Sequence, residues 1–135
     1  MMKRTHITIG VISTILAIRY LNLEPITCAL GTIAGTMTPD LDFKFHIKHR
    51  TITHSLLFLF ISSLLFSVIS TELSLSYFIG VNMHLIADSF TVMGIPLFYP
   101  FIKHRYGFKL IKTNSLIENI IFILLIFIAF TLVKD

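Results

Sequence analysis

The chain has 135 residues, of which 55% are hydrophobic and 13% are charged, and its mean hydropathy is +0.86. This length allows one domain, residues 1–135, and this composition excludes an ordinary soluble domain. The single cysteine, Cys28, excludes an intrachain disulfide. The net charge of +4 could suit nucleic acid, but the basic residues cluster beside apolar segments, as membrane topology signals do. No nucleic-acid partner is therefore expected.

Five apolar segments follow one another along the chain, and together they predict an all-α fold. Their lengths favour a small multi-pass transmembrane bundle, with a second segment that is short and rich in small residues. Thr71 and Glu72 are expected to form the turn between the third and fourth segments. The predicted membrane segments are residues 7–23, 26–38, 55–71, 73–90 and 116–133.

The positions of lysine and arginine predict the topology of this bundle. Three basic clusters, in residues 3–4, 44–50 and 103–112, lie on one side if the N-terminus is cytoplasmic. The turns that carry Glu24 and Glu72 then lie outside the cell membrane, as does the C-terminus. This choice places every candidate ligand named below at a cytoplasmic segment end, although the ligands were not used to make it.

Imidazole and carboxylate side chains gather in three short motifs, PDLD, HRTITHS and NMHLIAD. Such groups in apolar surroundings are costly alone and suit a divalent cation: zinc, with manganese or magnesium as alternatives. A second ion beside Asp88 would take the histidine at the start of the first segment. The alternative is a set of buried His–Asp pairs that tie helices together without metal. The candidate metal ligands are His6, Asp40, Asp42, His54, His84 and Asp88, and the choice between Asp40 and Asp42 stays open.

Three further residues of the HRTITHS motif are candidates for catalysis. Arg50 is either a clamp for an anionic group or a charge that sets topology. Thr53 and Ser55 flank His54 and are expected to donate hydrogen bonds around the site rather than to act as nucleophiles. The remaining histidines are expected to be solvated or interfacial: His46, His49 and His104.

Taken together, PDLD, HRTITHS, HLIADSFTVMG and LFYP resemble the YdjM-type membrane-bound metal-dependent hydrolases, a family linked in name to LexA regulation. That family in turn resembles a minimal membrane form of the zinc-dependent phospholipase C and single-strand nuclease superfamily. The resemblance implies a phospholipase C-like metal core with one or two ions. It puts His6, Asp40 or Asp42, His54, His84 and Asp88 at ligand positions. Thr51 departs from the family pattern, where Gly often follows His-Arg, and the ligands of a third metal have no match.

The expected function is a metal-dependent hydrolase, a phosphoesterase that acts on a lipid-borne phosphoester at the cytoplasmic face of the cell membrane. Two alternatives stay open: a metal ion or proton transporter, and a non-catalytic membrane scaffold with a structural metal site. A transporter would need polar groups that continue to the opposite face, where the sequence offers only Ser, Thr and Tyr. The sequence leaves the oligomeric state open.

Overall fold

The computed structural model describes residues 1–43 and 50–134, with Phe43 described for its backbone alone. Lys44, His46, Lys48 and His49 of the first polar loop lie outside the described residues. Within the described ranges the chain forms five α-helices and two short 3-10 helices, at Thr38–Phe43 and Ile52–His54, and no strand. The all-α prediction is therefore confirmed. The helices are α1 Lys3–Leu21, α2 Pro25–Met37, α3 Leu56–Ser67, α4 Thr71–Ser89 and α5 Leu116–Lys134.

The turn between α3 and α4 lies earlier in the chain than predicted. Thr71 and Glu72 are not turn residues but begin α4, because Ser70 caps this helix by accepting a hydrogen bond from the Leu73 N–H at 3.4 Å. Glu72 then lies in the first turn of α4, where its negative charge interacts favourably with the helix dipole. As a result α3 has 12 residues, about 18 Å of helix, and is shorter than the predicted segment 55–71.

Helices α2 and α4 run side by side in the same direction and touch through glycines. A Cβ atom on Gly35 would lie 2.3 Å from the Tyr77 carbonyl oxygen, and one on Gly80 would lie 2.2 Å from the Thr32 carbonyl oxygen. Only a residue without a Cβ permits backbones this close. The small residues of the second segment therefore serve the contact with α4, which brings the end of α2 beside the end of α4.

Helices α1 and α5 also run parallel to each other. The Arg4 side chain contacts the Asn119 side-chain oxygen near one end, and Arg19 Nη2 donates to the Leu132 carbonyl at 3.0 Å near the other. Glu118 is the buried residue of α5, and its Oε1 accepts a hydrogen bond from the Met2 N–H at 2.6 Å. The rest of α5 is largely exposed and apolar.

Within the two described ranges, α5 is the one helix that has both the length and the apolar composition needed to cross a membrane. The prediction of several membrane segments is thus supported by this criterion for the last segment alone. Residues 90–115, between α4 and α5, fold back over one end of the bundle. Val92 N–H donates to the Ile111 carbonyl at 2.9 Å, and Leu56 N–H donates to the Leu97 carbonyl at 2.9 Å.

Candidate metal centre

All six predicted metal ligands meet at one end of the bundle. His6 lies in the first turns of α1, and His84 and Asp88 lie in the last turns of α4. The two 3-10 helices supply the others, because they carry the chain across this end after α2 and before α3: Asp40, Asp42 and His54. The side chains are almost fully buried, and Asp40, at 10% exposure, is the most open of them.

The imidazoles of His54 and His84 direct their Nε2 atoms toward each other. His84 Nδ1–H donates to the Thr36 carbonyl at 2.7 Å. His54 Nδ1 lies 3.0 Å from Thr53 Oγ1. Because the Thr53 hydroxyl donates its hydrogen to Asp42 Oδ2 at 3.2 Å, it accepts from His54, so Nδ1 of His54 carries the hydrogen. Both Nε2 atoms are therefore unprotonated in the neutral rings, and they face each other at 3.2 Å. A metal ion placed near both Nε2 atoms could accept these two lone pairs.

Two carboxylate oxygens complete a compact set with these nitrogens. Asp40 Oδ1 lies 3.8 Å from His54 Nε2 and 3.7 Å from His84 Nε2. Asp88 Oδ2 lies 3.5 Å and 3.8 Å from the same two nitrogens. Ligands about 2.0–2.2 Å from a zinc ion stand about 3.3–3.6 Å apart at the corners of a tetrahedron. These five distances, 3.2–3.8 Å, lie within about 0.2 Å of that range, so Asp40 and Asp88 each stand at ligand spacing from both imidazoles.

Asp42 lies on the other side of His54, away from this set. Its Oδ2 accepts hydrogen bonds from Thr53 Oγ1 and from the Arg50 N–H, both at 3.2 Å, and lies 3.8 Å from His54 Nδ1. The choice between the two aspartates thus favours Asp40 as the ligand, because the 3-10 turn directs Asp42 to the rear of the imidazole. A carboxylate there orients a ligating histidine. Thr53 bridges the two groups, as a supporting donor would.

His6 approaches Asp88 from the opposite side. Its Nε2 lies 3.3 Å from Asp88 Oδ1, the oxygen that also contacts the amine of Met1, and its ring stacks on His84 with centroids 3.9 Å apart. His6 is fully buried, yet neither ring nitrogen has a hydrogen-bond partner among the described residues. Buried imidazole nitrogens without a hydrogen-bond partner are atoms that a metal ion could satisfy. His6, His84 and Asp88 form a second ligand group that shares residues with the first.

Arg50, for which the sequence leaves open an anion clamp or a charge that sets topology, is buried against Asp88. Its side chain is 3% exposed, and Nη2 lies 2.8 Å from Asp88 Oδ2. Nη1 donates to Thr91 Oγ1 at 2.8 Å and to the Gly94 carbonyl at 3.2 Å. Nε has no hydrogen-bond partner in the described part of the chain. Arg50 therefore holds Asp88 in place and ties the loop after α4 to the site.

Ser55 has a structural role in place of the predicted one. Its Oγ accepts a hydrogen bond from the Phe58 N–H at 3.2 Å and donates to the Ile52 carbonyl at 2.6 Å. It is therefore the N-cap of α3. A serine just before an apolar helical run is a known start signal, so this role was readable from the sequence. The Ser55 hydroxyl thus stabilises the first turn of α3, and its hydrogen bonds go to backbone groups rather than to the candidate metal ligands.

Sequence reasoning missed two residues that orient the site. Thr36 acts through its carbonyl oxygen, which every residue carries, so no side-chain signal marks it. Thr91 accepts from Arg50 and donates to the Asp88 carbonyl at 2.7 Å. Its position three residues after Asp88 is a weak signal, because a threonine after a helix is common. Both residues contact the site because the fold brings distant chain segments together, which the spacing of residues in the sequence does not reveal.

Comparison with known proteins shows which family the chain belongs to. The model of a family described as YdjM inner membrane protein matches residues 1–134. The chain belongs to this family. It is similar to the uncharacterized protein YvsG of Bacillus subtilis (strain 168), with 34% identity over 143 residues that cover 90% of this chain and 87% of the relative. No solved structure matches the chain.

Membership of the YdjM family confirms that part of the resemblance inferred from the four motifs, and the hydrolase activity and phospholipase C-like core stay predictions. It also supports a membrane location, together with α5 as a helix that could span the bilayer. Residues of the first three motifs are among those that converge in the structure, since PDLD supplies Asp40, HRTITHS supplies His54, and the third motif supplies His84 and Asp88.

Proposed function

We propose that this protein is a membrane-bound metal-dependent hydrolase that cleaves a lipid-borne phosphoester. The observation that carries the proposal is that Asp40 and Asp88 each place a carboxylate oxygen 3.5–3.8 Å from the Nε2 atoms of both His54 and His84. A set of His–Asp pairs alone would not explain why the Nε2 atoms of His54 and His84 approach each other to 3.2 Å. The unpartnered nitrogens of His6 support the same reading.

The residues present fit one divalent ion well and a second beside it. Two imidazoles and two carboxylates suit zinc, and manganese or magnesium remain alternatives. Asp88 would contribute Oδ2 to the first ion and Oδ1, with His6, to the second. When bound, such an ion supplies Lewis acidity, which activates water near neutral pH and offsets charge on a phosphoryl group.

The chain's own residues would orient and enclose this chemistry. The Thr36 carbonyl and the Thr53 hydroxyl hold the two imidazoles with Nε2 directed inward. Arg50 positions Asp88 and adds a buried positive charge next to the ligands, which favours an anionic substrate. Asp40 is the most exposed of the ligands, so we expect water to reach the site on its side. Thr53 and Arg50 are positioning residues in this account.

We further propose that α1–α4 lie in the membrane with α5, with the metal centre at the cytoplasmic face. Helix α1 runs parallel to α5 and has the same length, 19 residues. Helix α3 exposes large apolar side chains such as Leu64 and Leu65. The basic residues of the loop before α5 lie at the same end as the site and would face the cytoplasm.

Labelling with an impermeant thiol reagent tests this orientation in intact cells. With Cys28 replaced by serine, a cysteine at Lys109 should be shielded and one at Glu72 should react. The reverse labelling pattern would put the site on the outer face and exclude cytoplasmic substrates.

A hydrolysis assay tests the function itself. Protein in detergent, stripped of metal and reloaded with zinc, should hydrolyse p-nitrophenyl phosphate or a phospholipid phosphoester, and the stripped protein should not. Asp88→Asn keeps the shape of the side chain but removes the charge that the ion needs, so it should lose the activity. Folded, zinc-loaded protein that cleaves none of a panel of soluble and lipid phosphoesters would contradict the proposal.

A further inference from the structure

Two apolar cavities lie along the contact between α1 and α4, and they share Met83. The first, of about 290 Å³, is bounded by Ile9, Ile86 and Ala87 and is closed on one side by Ile121 of α5. The second, of about 270 Å³, lies further from the site. It is bounded by Leu16, Ala17, Tyr20, Ile79 and Met83. We call the two together the α1/α4 groove.

One end of the groove lies next to the candidate metal centre. It is bounded there by Ala87, which directly precedes Asp88, and by Met1, whose amine contacts the Asp88 carboxylate. From there the groove passes Ile9, Leu16 and Tyr20, which lie on one face of α1. Ile9 to Tyr20 is twelve residues, a rise of about 16 Å along the helix. That is close to the thickness of one leaflet of the hydrocarbon core, about 15 Å.

The chemistry of the walls selects the occupant. The lining side chains are apolar apart from the Tyr20 hydroxyl and Ser13, and the Ser13 hydroxyl already donates to the Ile9 carbonyl at 2.8 Å. Among the described residues, no charged side chain lines either cavity, and the charged amine of Met1 at one end is paired with Asp88. Such a surface offers little to a polar ligand or an ion, and it stabilises methylene groups by removing them from contact with water.

We infer that the α1/α4 groove binds one hydrocarbon chain of a membrane lipid whose phosphoester headgroup lies at the metal centre. The inference rests on the proposed function for its headgroup, and on the groove alone for its chain. It defines the substrate class: a phospholipid or polyprenyl phosphate with a long chain, rather than a soluble phosphoester. The chain lies in the leaflet on which the metal centre opens, with its end near Tyr20.

Photolabelling tests the groove without reference to catalysis. The protein is placed in phosphatidylcholine nanodiscs that contain a small fraction of phosphatidic acid with a diazirine at mid-chain, and labelled peptides are mapped by mass spectrometry. Labels should concentrate on Ile79, Met83 and Leu16, above the level on Ile123, which is 63% exposed on α5. Labels that are spread equally over all exposed apolar residues would overturn the inference, because they would report bulk lipid.

Substitutions in the groove then connect chain binding to turnover. Met83→Trp fills the point where the two cavities join, and it should lower both groove labelling and turnover of a long-chain substrate by roughly tenfold, the effect of losing a few methylene contacts. Turnover of p-nitrophenyl phosphate should stay unchanged, as should both readouts in the control Ile123→Trp. Leu16→Trp, on the more exposed wall, provides the same test if Met83→Trp does not fold.

The outcomes separate this inference from the proposed function. If the wild-type protein hydrolyses no phosphoester but its groove is labelled, the hydrolase proposal fails and the chain site stands. If it hydrolyses both substrates and the folded groove variants change neither the labelling nor the preference for the long-chain substrate, the chain site is wrong and the hydrolase proposal stands.

Discussion

Helices α4 and α5 have the same length, 19 residues, but opposite surroundings. α4 is packed among α1, α2 and α3 and buries Gly80, His84 and Asp88. α5 buries Glu118 and exposes large apolar side chains such as Phe127 and Phe130. The helix that is less apolar is thus the one inside the protein. In a soluble protein the more polar helix would be the outer one.

This inversion is what a lipid environment favours, because lipid tails are as apolar as leucine and do not drive apolar side chains inward. The described interior is accordingly rich in hydroxyl groups: Thr14, Thr32, Thr36, Ser63 and Ser76 are buried. In α4, close packing through glycine brings buried ionisable groups to a shared point. Such groups persist in apolar surroundings when they serve a function, and the function proposed for them here is ion binding.

The largest effect is expected from removing a ligand on α4. His84→Ala and Asp88→Ala should each abolish tight metal binding and metal-dependent hydrolysis, because each deletes one of the proposed ligands. The matched control is His104→Ala, an exposed histidine outside the set, which should keep the metal and the activity of the wild type. Metal content and activity are measured on the same preparations. Full metal in His84→Ala with none in His104→Ala would move the site to the loop before α5.

A smaller effect, on stability, is expected where α4 touches α2. Gly80→Ala puts a Cβ within 2.2 Å of the Thr32 carbonyl oxygen, and overpacking of this kind costs about 1–3 kcal/mol. Ile123→Ala on α5 should change stability little, since that side chain is 63% exposed. The midpoint of thermal unfolding in detergent is the measurement. Equal midpoints for the two variants would mean that α4 is not tightly packed.

The sequence revealed the order of the helices and the convergence of the ligands, because apolar runs, turn residues and the spacing of His84 and Asp88 are local signals. It did not separate Asp40 from Asp42, which are two residues apart. Their roles depend on how a 3-10 turn presents each side chain to His54. The support from the Thr36 carbonyl was equally out of reach, because it depends on the contact between α2 and α4.

A more modest loss is expected from a change behind the ligands. Thr53→Val keeps the shape of the side chain but removes the hydroxyl that joins Asp42 to His54 Nδ1. Metal affinity or activity should fall by about 10- to 100-fold, as for other outer partners of ligating histidines. Thr131→Val, an exposed threonine on α5, is the control. A Thr53→Val protein with wild-type affinity and activity would show that the His54 ring is oriented without this hydroxyl.

The smallest effect is expected at the opposite end of the bundle. Glu24 caps α2 by accepting backbone hydrogen bonds. These hydrogen bonds lower the pKa of its carboxyl, and the largest contribution comes from the Thr27 N–H. A carboxyl whose pKa is lowered by folding stabilises the protein above its ordinary pKa, and that contribution fades as the pH falls through the lowered value. Glu24→Gln should therefore lower the unfolding midpoint slightly at neutral pH and leave it unchanged in acid. A difference that persists in acid would point to packing instead of charge.

Zinc-edge X-ray absorption on protein reloaded with one equivalent of zinc tests the central claim most directly. The four buried atoms of Asp40, His54, His84 and Asp88 predict a tetrahedral first shell with two imidazole nitrogens and two carboxylate oxygens, at about 2.0–2.2 Å. His84→Ala should show one imidazole fewer or no bound zinc. A protein that retains no zinc, or zinc in a shell without imidazole, would contradict the account.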